Sequence, residues 1–100
     1  MTLSDTTAKV ARMAEAADSI GSTIKFNFKG GEGVIFLDGS SDPNVVSNED
    51  KDADCTVTIA FSDFNDLLSG SLNPMGAFMT GKLKIDGDMG VAMKLSSLFG

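Results

Sequence analysis

Apolar and polar positions along this chain follow two periods. Val10, Met13, Ala14, Ala17 and Ile20 recur at helical spacing, which predicts a helix over the first twenty residues. Ser4 or Asp5 is positioned to cap its start, and Gly21 to stop it. The period then changes to two. Ile24, Phe26 and Phe28 alternate with Lys25, Asn27 and Lys29, as in a strand with one buried face. The glycine-rich stretch 29–33 is a turn, and Val34, Ile35, Phe36 and Leu37 complete a hairpin. Residues 38–54 are polar and acidic, with a short edge strand expected around Val45 and Val46.

Alternation returns at Cys55, Val57, Ile59 and Phe61, opposite Thr56 and Thr58. Ser62 and Asp63 are expected to cap a short helix carrying Phe64, Leu67 and Leu68, which Gly70 ends. Asn73-Pro74 opens a further short helix, with Pro74 suited to its first position. Leu83 and Ile85 alternate with lysines in a last strand, and Asp88 caps a final helix running to about Phe99. Three strands thus carry polar outward residues: Lys25 and Asn27, Thr56 and Thr58, Lys82 and Lys84. A sheet covered on both faces would be apolar on both. One face therefore meets water and the helices crowd onto the other, an α+β two-layer arrangement.

Composition narrows the chemistry. One hundred residues suit a single domain. The chain has no His, Tyr or Trp and one Cys. The commonest general base is therefore missing, and neither an internal disulfide nor a cysteine zinc cage can form. The net charge of −6 repels phosphate backbones, so no nucleic acid is expected as a partner. No apolar run approaches the roughly 18 residues of a membrane span, and the N-terminus lacks a secretory layout. The expected location is the cytosol.

Two motif look-alikes fail on chemistry. Gly76 to Lys82 has phosphate-loop spacing, but Leu83 stands where a hydroxyl should hold magnesium, and a helix precedes rather than follows it. Asp50, Asp52 and Asp54 alternate like half a calcium loop, but Cys55 replaces its glycine and Phe61 its closing glutamate. Cys55 has no base to activate it, and its strand position turns it inward. No catalytic group and no metal site emerge. What stands out is apolar: Val91, Ala92, Leu95, Leu98 and Phe99 fill one arc of the final helix, and Met89 and Met93 widen it beyond the stripe needed to sit on a sheet. Either other helices of the same layer, or a ligand or partner, covers the methionine flank.

The stretch from Asp54 to Leu98 closely resembles the sterol carrier protein-2 family of lipid-binding domains. The resemblance is carried by Asp54-Cys55-Thr56-Val57-Thr58, Ser62-Asp63-Phe64, Asn73-Pro74 and Ala77-Phe78. It continues through Gly81-Lys82-Leu83-Lys84-Ile85, Gly87, Met89-Gly90 and Ala92-Met93-Lys94-Leu95. It is looser over residues 23–38 and weak over the first helix. It implies a five-stranded sheet with helices packed on one face and an apolar tunnel between the layers. It further implies a carrier without enzymatic activity or cofactor, whose partner is a fatty acid, acyl-CoA or sterol-like lipid.

On that resemblance, Phe26, Phe28, Ile59, Leu83 and Ile85 are expected to form the tunnel floor. Leu67, Leu68, Phe78 and Met79 form a wall, and Met89, Met93 and Phe99 shape the mouth. Lys82, Lys84 or Lys94 is placed to meet a head group. A monomer is favoured, with transient contact to a membrane or a lipid enzyme. Vertebrate members continue into a peroxisomal tripeptide; this chain ends at Gly100 without one, so peroxisomal delivery is not expected and the mouth is expected to be more open. The alternative is an interaction module of lipid metabolism, the same fold with a filled core, docking through its last helix.

Overall fold

Five segments become strands: β1 Thr23–Phe28, β2 Val34–Asp38, β3 Val45–Ser47, β4 Cys55–Ile59 and β5 Leu83–Gly87. The helices are α1 Leu3–Ala16, α2 Phe61–Ser69 and α3 Pro74–Met79. Residues 89–91, 93 and 94 are again helical. This computed structural model describes residues 2–17, 20–40, 44–91, 93 and 94. The expectations for Leu95, Leu98 and Phe99 lie outside the described residues.

The strands form one mixed sheet in the order β3-β2-β1-β4-β5. β1 and β2 are the expected antiparallel hairpin, β1 and β4 run parallel, and β4 and β5 antiparallel. The register lines up three inner rows. Leu37, Ile24 and Cys55 form the first, Ile35, Phe26, Val57 and Ile85 the second, and Phe28, Ile59 and Leu83 the third. The helices close over these rows with Val10 and Ala14 of α1, Phe64 and Leu67 of α2, Ala77 of α3 and, after β5, Val91. The sheet with helices on one side is thus the expected α+β architecture.

Two helix starts differ from expectation. Thr2, not Ser4 or Asp5, caps α1: its Oγ1 accepts from the Asp5 N–H at 3.2 Å, and the Asp5 carboxylate accepts from the Thr2 N–H at 3.2 Å. This reciprocal pair satisfies two orphan donors at once, which a cap one turn further in could not do. α1 also stops at Ala16, short of Ile20 and Gly21. Buried Asn44 explains the stop: its Nδ2 donates to the Ala14 carbonyl at 2.9 Å and its Oδ1 accepts from the Ile20 N–H at 3.3 Å.

Phe61 opens α2 and does not extend β4, and α2 has Ala60 as its N-cap with no side-chain cap from Ser62 or Asp63. Packing overrides alternation here, because the Phe61 ring stands edge-on against Phe28 at 5.1 Å. Gly70 ends α2 in the left-handed region at φ 84°, as expected. Asn73 caps α3 by accepting from the Met75 and Gly76 N–H groups, with Pro74 first in the helix.

The outer face is not uniformly wet. To reach β4 from edge strand β3, the chain must cross β2 and β1, and it does so over the face the helices leave free. Lys25 on that face donates to Asp50 at 3.0 Å, and Lys51 lies 5.5 Å over the Phe36 ring. Phe36 is thereby buried on the side expected to face solvent. The acidic stretch is a strap across the sheet. Its end is fastened at Asp54, whose N–H donates to Thr23 Oγ1 and whose carboxylate accepts from the Thr23 N–H.

Candidate lipid-binding site

The inner face of the sheet is apolar because period-two alternation turns every second side chain of β1, β4 and β5 the same way. α2 lies over it with a helical stripe, Phe61, Phe64, Leu67 and Leu68. Its rings interlock with the floor: Phe64 is 4.9 Å from Phe26 and 5.2 Å from Phe28, centroid to centroid. These separations are those of favourable tilted aromatic pairs.

The twelve residues expected to line a tunnel divide by position. Phe26, Phe28, Ile59, Leu67 and Leu83 are buried in one cluster. Leu68 and Ile85 are half-buried and packed against it. Phe78, Met79, Met89 and Met93 are exposed. Phe99 lies outside the described residues.

The division follows a gradient across the sheet. Along one inner row, Ile35, Phe26 and Val57 are closed off from solvent, while Ile85 on β5 is only partly covered. Cover thins at the edge strand, and the exposed apolar side chains gather there. α3 precedes β5 and packs on it; the last helical residues follow it. Among the described residues, each segment is anchored by one buried residue, Ala77 and Val91 respectively. Around these anchors Met75 is 62% exposed, Phe78 42%, Met79 79%, Met89 51% and Met93 76%. Of the described residues, only Val45 is a further large hydrophobic so exposed.

Met75 was not among the expected site residues, nor were the anchors Ala77 and Val91, nor Phe61 and Phe64. A signal for them exists in the sequence. Met75-Gly76-Ala77-Phe78-Met79 and Met89-Gly90-Val91-Ala92-Met93 share one spacing, with the anchor in the middle and a methionine two residues to either side. Two residues on a helix turn through about 200°, so a buried centre sends both methionines outward.

Among the candidate head-group contacts, Lys82 and Lys84 are exposed, and the Lys94 ammonium donates to the Ile20 carbonyl at 2.9 Å, tying the last helical residues to the connection between α1 and β1. Among the described residues, no group of three or more acidic, His or Cys side chains could hold a metal ion. No described helix is long and apolar enough to cross a membrane.

Cys55 is fully buried, and burial followed by the charges of Asp88 and Asp86 pushes its thiol above the ordinary 9.0. The thiolate, which is the nucleophilic form, is disfavoured. The unfolded chain ionises this thiol first. Its contribution to stability is therefore full below about pH 9 and declines as pH rises toward the folded value. In the native protein, labelling by a disulfide reagent is expected on the order of a thousandfold slower than in urea, since it waits on opening of the core. Equal rates in both conditions would place the thiol at the surface.

A family model described as the SCP-2 sterol transfer family matches residues 3–100. Sterol carrier protein 2 of Rattus norvegicus is 44% identical over 91 residues, covering 84% of this chain and 16% of that protein. This chain spans only 10–16% of the length of the sterol carrier protein 2 relatives it matches. The solution structure of the sterol carrier protein domain 2 of Helicoverpa armigera superposes with TM-score 0.75 at 31% identity, over 92% of this chain and 83% of that one. The solution NMR structure of palmitated SCP2L2 from Aedes aegypti superposes with TM-score 0.74 at 22% identity, over 99% of this chain and 95% of that one, which is a likeness of fold.

Proposed function

Because this chain belongs to the SCP-2 sterol transfer family, we propose that it is a non-enzymatic lipid carrier, residues 1–100 acting as one monomeric lipid-binding domain in the cytosol. The observation that carries the reading is the incomplete cover of the inner sheet at Ile85, flanked by the exposed side chains of α3 and the last helix. A long acyl chain or sterol-like ligand lies between the sheet and the helices. It enters at β5, past Phe78 and Met79 on one side and Met89 and Met93 on the other.

The driving force is removal of apolar surface from water, about 0.8 kcal/mol for each methylene buried. Methionine suits the rim because its flexible thioether adapts to irregular apolar shapes. A fatty acyl ligand is of the kind named for the palmitated relative. Phe26, Phe28, Ile59 and Leu83 form the floor and Leu67 and Leu68 the wall, so the ligand meets mainly carbon. Lys82 or Lys84 serves a carboxylate or phosphate head group at the entrance. No step of this work needs a nucleophile, which suits a chain whose single thiol is held protonated.

Native mass spectrometry before and after denaturing extraction tests the reading. The expected result is an added discrete mass, recovered as free lipid, or acquired on incubation with fatty acid, acyl-CoA or sterol. A bare 10.4 kDa species after all three incubations rejects the carrier and favours the same fold as a protein-docking module.

Met93→Trp sharpens the test. Met93 is exposed, so stability should change by no more than about 0.5 kcal/mol. Uptake should fall by about fivefold or more, the equivalent of roughly 1 kcal/mol of obstruction at the entrance. Unchanged uptake removes Met93 from the entrance, and unfolding assigns it to the packed core.

A further inference from the structure

We infer that the free edge of β5 pairs with the same edge of a second copy of this chain, and that this reversible pairing closes the lipid entrance of both. β5 is the last strand of the sheet and pairs with β4 on one side. The Asp88 N–H donates to the Asp54 carbonyl at 2.9 Å, one step beyond the Cys55–Gly87 pair in the same register. Along an antiparallel ladder, residues bonded to the neighbouring strand alternate with residues whose N–H and C=O point away. Lys84 and Asp86 therefore bond β4. Leu83, Ile85 and Gly87 turn their main-chain groups to the open edge.

Such an edge is a template for another strand, and its register commits it to its own copy. Twofold antiparallel pairing centred on Ile85 sets Ile85 against Ile85 and Leu83 against Gly87. Every outward N–H of that run then meets an outward carbonyl of the other copy. On the outer face, Lys84 of each copy meets Asp86 of the other. Both side chains are exposed, and among the described residues no ion pair engages either. A register shifted by two residues sets Asp86 against Asp86 or Lys84 against Lys84, which is unfavourable. On the inner face Ile85, only partly covered within one copy, gains the Ile85 of the other.

The pairing bears on the entrance. The twofold axis of such a pair stands perpendicular to the sheet, so both helix layers lie on the same side. α3 packs on β5, and its exposed Phe78 and Met79 are brought to the junction. Paired strands stand about 4.8 Å apart, which leaves no opening at the edge for a lipid. The single chain is thus the form that loads, and the pair is the form that retains. Closure rests on the carrier reading; the pairing stands on β5 alone.

Sedimentation velocity of the lipid-free full chain, over concentrations from micromolar to millimolar, tests the pairing. The unaltered protein should pass from one chain to two. Lys84→Asp sets acids against acids at both contacts and should weaken the pair by about tenfold or more. Asp86→Lys should do the same with bases. Both substitutions in one chain should restore the pair. A mixture of the two single variants should also pair, because each supplies the charge the other lacks.

A single chain at every concentration overturns the proposal and leaves the edge to a strand of another protein. So does a pair that the single variants leave unchanged, or one that the double variant fails to restore. Uptake of a fluorescent fatty acid is measured over the same series. Its rate per chain should fall as pairs form, and should hold at its dilute value in Asp86→Lys. Pairs that take up lipid as fast as single chains overturn the closing role. Pairing with charge-swap rescue, but no uptake at any concentration, upholds the pairing and rejects the carrier reading.

Discussion

Phe64→Ala is expected to lower the free energy of unfolding by about 3–5 kcal/mol. Phe64 is fully buried, and its ring touches both Phe26 and Phe28, so it holds α2 onto the central strands. Truncation loses the transfer energy of the ring, leaves a cavity over β1, and removes two aromatic pairs. The sheet beneath cannot collapse into the gap, because its strands are fixed by hydrogen bonds on both sides. Domains of this size are stable by about 5–15 kcal/mol, so the loss is a large share of the total.

Thermal unfolding of lipid-free protein should show Tm lower by on the order of 15 °C or more. Lipid must be removed first, since a bound ligand raises apparent stability by mass action. A loss below about 1 kcal/mol would mean that the space around Phe64 is already open, and that this ring lines ligand space instead of packed core.

Gly87→Ala is expected to cost about 2–4 kcal/mol and to loosen the end of β5 with the helical residues after it. Gly87 has φ 102°, a conformation that side-chain-bearing residues rarely adopt. A Cβ there would also clash with the Asp54 carbonyl oxygen. That oxygen accepts from the Asp88 N–H at 2.9 Å, while Asp54 grips Thr23 by two further hydrogen bonds. One added methyl group thus bears on the junction of β1, β4 and β5. Hydrogen exchange should quicken in β5 and around Val91 while β1 and β2 stay protected. Uptake of fatty acid should fall with it, since Met89 and Met93 are carried on the loosened segment. A Tm within about 1 °C of the unaltered protein would show that the turn relaxes freely and that Asp54 is not an anchor.

Much of the fold could be read from neighbouring residues. Ile24, Phe26 and Phe28 needed only alternation, and Gly70 and Pro74 mark their boundaries through backbone preferences that act within one residue. Where two local signals competed, the distant partner decided. Phe61 continues the alternation of β4, yet its contact with Phe28 draws it into α2. Helical spacing carries α1 on to Ile20, yet Asn44, far along the chain, ends it at Ala16. Ser4 and Asp5 are as good in type as Thr2 for a cap; only Thr2 completes the reciprocal pair.

The candidate site divides along the same line. That it would be apolar, free of activated nucleophiles and built from the alternating faces of the strands follows from residue type and period alone, because both are local properties. Which of those residues are sealed and which stand open follows from what covers them. Phe36 has the outward position of its strand and is buried all the same, because Lys51 and the acidic strap cross it. Met79 and Met93 belong to apolar helices and are exposed, because Ala77 and Val91 take the inward positions. Covering is a contact between segments far apart in the chain, so only the tertiary structure decides it.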